Sequence, residues 1–233
     1  MSYARLASRL PSWLRRRIWH FEALIDESVR AFAAGLPPGA FVLDAGAGEG
    51  RYRDRFEKHR YVGVDLGVGD ARWNYAGLDA VADLASLPFR ESSFHACLNI
   101  VTLEHVRRPA QVLREISRVL VPGGRLLLVV PQDWEVHQAP HDYYRYTLHG
   151  VSYLLEQAGL TGVSITPAGG YFRLMSRRLL NGLEYFSGGF RWLGFVPAMA
   201  LLGLPALLFS YLDFLDHKSV FTLGYLCTAA KRS

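Results

Sequence analysis

Cysteine is scarce in this chain of 233 residues, which contains only Cys97 and Cys227. Both lie in apolar, strand-like runs and fit no metal-ligand spacing, so we interpret them as two buried thiols. The first twenty residues also lack the continuous apolar core of a secretory signal, and we therefore expect a cytoplasmic location. The length is too short for a second catalytic domain and predicts one domain, with or without an elaboration.

Acidic residues are nearly absent from two basic stretches. Residues 1–20 contain five arginines and no acid, and residues 171–191 contain four arginines and one glutamate. A nucleic-acid enzyme would be expected to spread its basic residues over the substrate face, whereas basic residues beside apolar segments suit an anionic membrane surface. We therefore expect no nucleic-acid partner, although two solvated helix faces would give the same charge pattern.

An apolar run that ends in a carboxylate and a glycine turn is the main functional signal. Residues 41–52 read FVLDAGAGEGRY, in which Asp44 ends a predicted buried strand. The alternating glycines after it let the backbone approach a ligand without interference from Cβ. These glycines are Gly46, Gly48 and Gly50. The dinucleotide fingerprint G-x-G-x-x-G would need its third glycine at the position of Arg51, so the pattern for NAD fails.

Two further acids follow short apolar segments. Asp65 ends the segment 61–65, YVGVD, and lies 21 residues after Asp44, the length of one strand–helix–strand unit. An acid at the end of the second strand can accept hydrogen bonds from both hydroxyls of a ribose. Asp83 follows the apolar segment 80–82 and precedes Leu84.

Together these motifs resemble those of the class I S-adenosylmethionine-dependent methyltransferases, in particular a family similar to methyltransferase type 11. The glycine turn is similar to their motif I, and LEHV at 103–106 and REISRVLVPGG at 114–124 are further matches. The resemblance covers residues 41–166 and the terminal strand. It implies S-adenosylmethionine as the cofactor, with Asp83 bonded to the adenine amino group and Leu84 covering the ring. The cofactor contacts that it implies are Asp44, Gly46, Gly48, Gly50, Asp65, Leu66, Asp83, Leu84 and Asn99.

The alternation of strands and helices predicts an α/β fold with a doubly wound parallel sheet. The resemblance implies a Rossmann-like sheet of seven strands in the order 3-2-1-4-5-7-6, with strand 7 antiparallel and an apolar helical insertion between strands 6 and 7. We predict an N-terminal amphipathic helical segment in 1–36, a methyltransferase core in 37–168 and 219–233, and an apolar and basic insertion in 169–218. The individual elements that we predict include helices over 11–34, about 50–59 and 148–158, and strand 7 over 221–229. The first helix could cap the active site, lie on a membrane surface, or pack on the sheet.

The insertion contains a run of 21 uncharged residues, 192–212. As a helix it would be about 30 Å long, enough to cross the hydrocarbon core of a bilayer. A single crossing would separate strand 7 from its sheet, so we predict that Pro197 and Pro205 break the run into two short helices of an in-plane or re-entrant hairpin. Trp192, Tyr211 and the nearby arginines are typical of a membrane interface; packing on the domain or in a dimer interface is the alternative. Because the insertion follows strand 6, we expect it beside the ligand-binding edge of the sheet.

The loop after strand 5, residues 131–147, is expected to contact the methyl acceptor. His141 is our candidate general base, because a neutral imidazole can accept a hydroxyl proton near pH 7, and Asp142 could orient it or bind the acceptor. The candidate substrate-binding residues are Trp134, His137, Tyr144 and Arg145. Alternatively, Asp142, Tyr144 and Arg145 only tie the loop to the sheet. We expect no metal site, because Pro140 disfavours the helix that would bring His137 and His141 together.

These expectations combine into one hypothesis, a membrane-associated methyltransferase that uses S-adenosylmethionine to methylate an oxygen of a lipid or a lipid-linked glycan. We expect it at the cytoplasmic face of the cell membrane, in contact through residues 192–212. A soluble small-molecule methyltransferase, with the apolar run as a lid or dimer interface, is one alternative. A non-catalytic membrane adaptor that keeps the fold is the other. The sequence leaves the acceptor atom and the oligomeric state open.

Overall fold

The computed structural model describes residues 11–69, 72–186 and 189–233, and these form two compact units. The larger unit, which we call the sheet unit, comprises the described residues of 25–166 and 224–233. The smaller, which we call the helical unit, comprises those of 11–24 and 167–223. The three-part division predicted from the sequence stays a prediction, and Arg5 and Arg9 of the first basic stretch lie outside the described residues.

Within the described residues, seven strands form one sheet in the order β3-β2-β1-β4-β5-β7-β6. The strands are β1 (Phe41–Ala45), β2 (Arg60–Asp65), β3 (Ala80–Val81), β4 (Phe94–Ile100), β5 (Leu120–Pro131), β6 (Leu160–Pro167) and β7 (Gly224–Lys231). Strands β1 to β5 pair in parallel, and β7 runs antiparallel to β5. The predicted fold class and strand order are therefore confirmed. Cys97 and Cys227 are buried free thiols, as expected.

Two helices of the sheet unit pack against the sheet for reasons that are visible in their sequences. Helix α3 (Pro109–Val119) begins with a proline, whose missing N–H would be unpaired in the first turn anyway. It buries Val112, Ile116 and Val119 at helical spacing in the main core. Helix α4 (Leu148–Gln157) is capped by Thr147, whose Oγ1 accepts a hydrogen bond from the Gly150 amide at 3.1 Å.

The boundaries of three predicted elements were wrong. The helix predicted over 11–34 is two helices, α1 (Ser12–Ile18) and α2 (His20–Ala34), because Trp19 leaves the helical conformation with ψ at 58°. The helix predicted over 50–59 is reduced to a 3₁₀ turn at Arg53–Phe56, since Gly50 has a φ of +75°. Strand β7 begins at Gly224, because Gly224 pairs with Pro131, the last residue of β5, and no residue of β5 is left to pair with the residues before Gly224.

The helical unit contains α5 (Tyr171–Gly182) and a longer helical segment over Phe195–Leu215. That segment consists of α6 (Phe195–Ala198), a π-helical turn (Met199–Gly203), α7 (Leu204–Leu212) and a 3₁₀ turn. The predicted hairpin is therefore wrong. Pro197 lies in the first turn of the segment, where a backbone N–H would have no partner within the helix, so its lack of an N–H costs no hydrogen bond. The π turn directly before Pro205 changes the hydrogen-bond pattern there and so accommodates the lack of an N–H in that proline.

Candidate active site

The predicted cofactor residues follow the carboxyl ends of parallel strands. The glycine turn follows β1, Asp65 ends β2, and Asp83 comes shortly after β3. A 3₁₀ turn, Leu103–His105, follows β4, and the 131–147 loop follows β5. Because these strands are parallel, their carboxyl ends meet at one edge of the sheet, which is the edge where ligands bind in open α/β folds.

The glycine turn has a backbone that other residues rarely adopt. Gly46, Gly48 and Gly50 have φ values of +97°, +54° and +75°. The amide of Gly46 donates to the Val64 carbonyl at 2.8 Å and so links the turn to β2. A Cβ on Gly46 would lie 2.7 Å from the Cβ of Thr102, which leaves no room for a side chain.

Asp65 holds the glycine turn in place. Its Oδ2 accepts a hydrogen bond from the Gly48 amide at 3.0 Å, and its Oδ1 accepts from the Gly67 amide at 2.8 Å. Each carboxylate oxygen has a second acceptor position, so the two hydroxyls of a ribose could still bind. The next residue, Leu66, has a relative exposure of 48% and is accessible to a ligand.

Asp44 is a buried acid beneath the turn. Its side chain accepts a hydrogen bond from the Tyr61 hydroxyl at 2.5 Å. Burial raises the pKa of Asp44 to about 7, while the Tyr61 hydrogen bond acts in the opposite direction. The carboxyl of Asp44 therefore changes its charge near neutral pH.

Three of the predicted cofactor residues have structural contacts. Asp83 orders its loop by accepting a hydrogen bond from the Ala85 amide at 2.8 Å. Leu84 is buried in the core, and Asn99 donates from Nδ2 to the carbonyl of Ala45 at 2.7 Å. These contacts hold the end of β1 and the loop that contains Asp83 and Leu84, and the roles of all three residues as cofactor contacts stay predictions.

Asp142 and Arg145 form a two-pronged ion pair inside the 131–147 loop. The two Arg145 guanidinium nitrogens bond the two Asp142 oxygens at 2.7 and 2.9 Å, and the His137 amide donates to Asp142 at 2.9 Å. Hydrogen bonding from Arg145 lowers the pKa of Asp142 to about 2. The suggestion that Asp142 orients His141 is wrong, since the His141 ring instead pairs with the Tyr143 hydroxyl at 3.2 Å.

Further bonds fasten this loop to its surroundings. Arg145 donates to the carbonyl of Trp134 at 3.1 Å, and the Tyr144 hydroxyl donates to the carbonyl of Arg107 at 3.1 Å. The amides of Tyr143 and Tyr144 donate to the carbonyl of Glu104 at 2.9 and 3.2 Å. These contacts match the interpretation in which Asp142, Tyr144 and Arg145 fix the loop. Roles in acceptor binding for Trp134, His137, Tyr144 and Arg145 stay predictions.

The sequence reasoning missed a cluster of Glu104, His105 and His137. One potential metal-ligand atom from each lies within 4.8 Å of the other two. Burial raises the pKa of Glu104 to about 8 and lowers that of His105. The expectation of no metal site considered only His137 with His141, whereas the fold places His137 beside the acid and histidine of the LEHV motif. An acid–histidine pair directly after a buried strand was the signal that could have revealed the cluster.

Comparisons with known proteins agree with this geometry. Residues 43–128 match the family described as Methyltransferase domain. Over 115 residues the chain is 32% identical to the probable tRNA methyltransferase 9B of Homo sapiens, and 33% identical over 115 residues to the tRNA (carboxymethyluridine(34)-5-O)-methyltransferase of Arabidopsis thaliana. Each alignment covers 47% of this chain, but only 25% and 28% of the respective relatives. The chain thus matches about a quarter of the length of these relatives.

Solved structures share the fold. The 1,6-didemethyltoxoflavin-N1-methyltransferase of Burkholderia thailandensis, with S-adenosylhomocysteine bound, has a TM-score of 0.54 at 22% identity and covers 99% of this chain and 88% of its own. The phosphoethanolamine N-methyltransferase 2 of Haemonchus contortus, in complex with S-adenosyl-L-methionine, has a TM-score of 0.54 at 18% identity and covers 89% and 52%. The match of residues 43–128 shows a methyltransferase domain in this chain, the solved structures show that its fold is that of the class I methyltransferases, and the glycine turn with Asp65 is consistent with S-adenosylmethionine as the methyl donor.

Proposed function

We propose that this chain is a methyltransferase at the cytoplasmic face of the cell membrane that methylates an oxygen of a lipid or a lipid-linked glycan. The cofactor part rests on the site described above. The membrane part rests on one observation, the exposed apolar face of the helical segment Phe195–Leu215.

This segment has an unusual distribution of apolar side chains. Among the described residues it is the one helix long and apolar enough to cross a membrane by length and composition. A core helix would be mostly buried, but only 17% of the most apolar window of this helix is buried. Ala198 and Ala206 face the interior of the helical unit, whereas Leu201, Leu204 and Leu208 are 73%, 65% and 59% exposed. An apolar face of this length favours an apolar environment over water.

The same unit presents residues that suit an anionic membrane surface. Helix α1 exposes Trp13, Arg15 and Arg16, and tryptophan and arginine are favoured at membrane interfaces. Arg17 connects α1 to the apolar helix, because it donates to the Ser210 carbonyl at 2.9 Å and lies 4.0 Å from the centre of the Tyr211 ring. With one face packed on protein, the helix suits an orientation in the plane of the membrane. The side chain of Trp192, predicted to join this interface, lies outside the described residues.

Methylation of an oxygen is the reaction that we infer from the 131–147 loop, which we expect to contact the methyl acceptor. The acceptor oxygen would attack the methyl carbon as the bond from that carbon to sulfur breaks, which produces S-adenosylhomocysteine. The hydroxyl proton would pass to the imidazole of His141, which is partly exposed. Holding the two reactants in line supplies much of the rate enhancement in such a displacement.

Flotation with vesicles of phosphatidylserine and phosphatidylcholine tests membrane contact without detergent. The wild-type chain should float with the vesicles, and the double variant Leu201→Glu/Leu208→Glu should remain at the bottom. Tyr153→Glu places one such negative charge on the exposed face of α4 in the sheet unit and should float like the wild type. A wild-type chain that stays wholly soluble, and elutes as a defined species in buffer, would instead support the soluble small-molecule methyltransferase.

A tRNA methyltransferase is the second candidate, and the names of the relatives favour it. Labelled S-adenosylmethionine incubated with the protein and either a membrane-lipid extract or bulk tRNA separates the two. Label in the lipid fraction supports the proposal, and label in the tRNA fraction replaces it with the second candidate. No S-adenosylhomocysteine with either acceptor, despite binding of the cofactor, would favour the non-catalytic adaptor.

A further inference from the structure

A buried carboxyl group at the active-site edge lacks the partners that such groups normally have. Glu104 has a relative exposure of 0%, and within the described part of the chain neither of its side-chain oxygens has a hydrogen-bond partner. Burying a polar group without a partner is costly, and an ion is one of the few explanations for such a group in a native fold. The unpartnered carboxyl of Glu104, in the 3₁₀ turn that follows β4, therefore points to a ligand.

Two imidazole rings complete the surroundings of this carboxyl. The Nδ1 of His105 lies 2.5 Å from the His141 carbonyl, so this nitrogen donates its proton and leaves the lone pair on Nε2. That Nε2 is buried, has no hydrogen-bond partner among the described residues, and lies 3.7 Å from Glu104 Oε1. The Nδ1 of His137 lies 3.0 Å from the Glu135 carbonyl, to which it can donate, and this tautomer leaves the lone pair of the ring on Nε2.

This arrangement is the one that metal-binding histidines adopt. Such a histidine usually donates one ring N–H to a carbonyl or carboxylate, which fixes the tautomer and turns the other nitrogen to the metal. Two ligands at metal distances of 2.0–2.1 Å in a tetrahedral site are roughly 3.3 Å apart, close to the separation of Glu104 and His105. The two segments are also bonded together, since the Tyr146 hydroxyl donates to the Leu103 carbonyl at 2.7 Å.

We propose that Glu104, His105 and His137 bind a divalent transition-metal ion, with zinc as the first candidate. Two imidazoles and one carboxylate suit zinc and its first-row neighbours, whereas magnesium and calcium prefer oxygen ligands alone. Three protein ligands leave a fourth position open. That position is suited to an oxygen of the methyl acceptor, and this part of the inference rests on the proposed function.

Cobalt is the probe that we would use, because four-coordinate Co²⁺ absorbs visible light and zinc does not. The untagged chain is stripped with a chelator and titrated with Co²⁺. We expect one ion per chain and a visible absorption that zinc abolishes in competition. His137→Gln should weaken Co²⁺ binding by more than about tenfold, since loss even of an indirect partner typically costs ten- to a hundredfold. His149→Gln, on the exposed face of α4, makes the same change outside the cluster and should bind like the wild type.

The outcomes separate this inference from the proposed function. Absence of stoichiometric binding, or equal affinity in the wild type and His137→Gln, overturns the metal site. S-adenosylmethionine binding is measured on the same samples, because the glycine turn does not include the three cluster residues. Cofactor binding without Co²⁺ binding removes only the metal site, whereas Co²⁺ binding without cofactor binding removes the proposed function and leaves the metal site standing.

Discussion

Replacement of Gly46 by alanine tests the geometry of the glycine turn at a single atom. The added Cβ would meet the Cβ of Thr102 at 2.7 Å, and Gly46 has a φ of +97°. A non-glycine residue in the left-handed region costs about 1–2 kcal/mol, and overpacking of a filled site costs about 1–3 kcal/mol. We therefore expect Gly46→Ala to lower the free energy of unfolding by about 2–5 kcal/mol.

Gly39 provides a matched control for this variant. It has a φ of +79°, but a Cβ placed there would have no neighbour within 4 Å among the described atoms. Gly39→Ala should therefore show only the free-energy cost of placing a non-glycine residue in the left-handed backbone conformation. Any gain from the reduced freedom of the unfolded chain is shared by both variants and cancels in the comparison.

Urea unfolding followed by circular dichroism measures the free energy of unfolding of the two variants. We expect Gly46→Ala to be less stable than Gly39→Ala by about 1–3 kcal/mol, the contribution of the Thr102 overlap. Adding Thr102→Ala to Gly46→Ala removes two of the three overlapping atoms and should recover part of that difference. Equal stability of the two single variants, or no recovery in the double variant, would refute the described geometry.

Two other predictions concern charged groups of the sheet unit. The pKa of Asp44 is raised from 3.8 to about 7 in the folded chain, so between these pH values the folded state binds more protons than the unfolded state and stability falls as the pH rises. Asp44→Asn lacks this loss, so in urea unfolding its free energy of unfolding should rise relative to that of the wild type by up to about 4 kcal/mol between pH 4 and pH 8. Parallel curves for the two proteins would contradict this. Arg145→Lys removes the two-pronged bond to Asp142. We expect hydrogen exchange of the Tyr143 and Tyr144 amides to become faster while S-adenosylmethionine binding is unchanged. Unaltered exchange would show that Arg145 does not fix the loop.

The sequence was sufficient for the sheet and the glycine turn because both depend on local patterns. Apolar runs that end in Asp44 and Asp65 define strand ends, and alternating glycines define a turn whatever surrounds them. The helix expected after the turn failed at Gly50, whose left-handed conformation is part of the turn itself. Local patterns therefore predicted the glycine turn correctly but overextended the element beside it.

Features that depend on contacts between distant segments were not predictable in the same way. Glu104 and His137 come together because the loop after β5 returns to the end of β4, and nothing in either local pattern indicates that approach. Pro205 was expected to break the apolar run, but a π turn accommodated it. Proline predicts a local disturbance of a helix, and packing within the helical unit determines whether the chain changes direction there.

Calorimetric titration with S-adenosylmethionine tests the central claim most directly. The wild-type chain should bind one molecule, and Asp65→Ala should weaken the affinity by about 10–100-fold, because a charge-assisted hydrogen bond contributes about 1.5–3 kcal/mol. Asp54→Ala, which changes an exposed acid in the nearby 3₁₀ turn, should bind like the wild type. Absence of binding to the wild type, or equal affinity in the wild type and Asp65→Ala, would contradict the assignment of this edge of the sheet as the methyl-donor site.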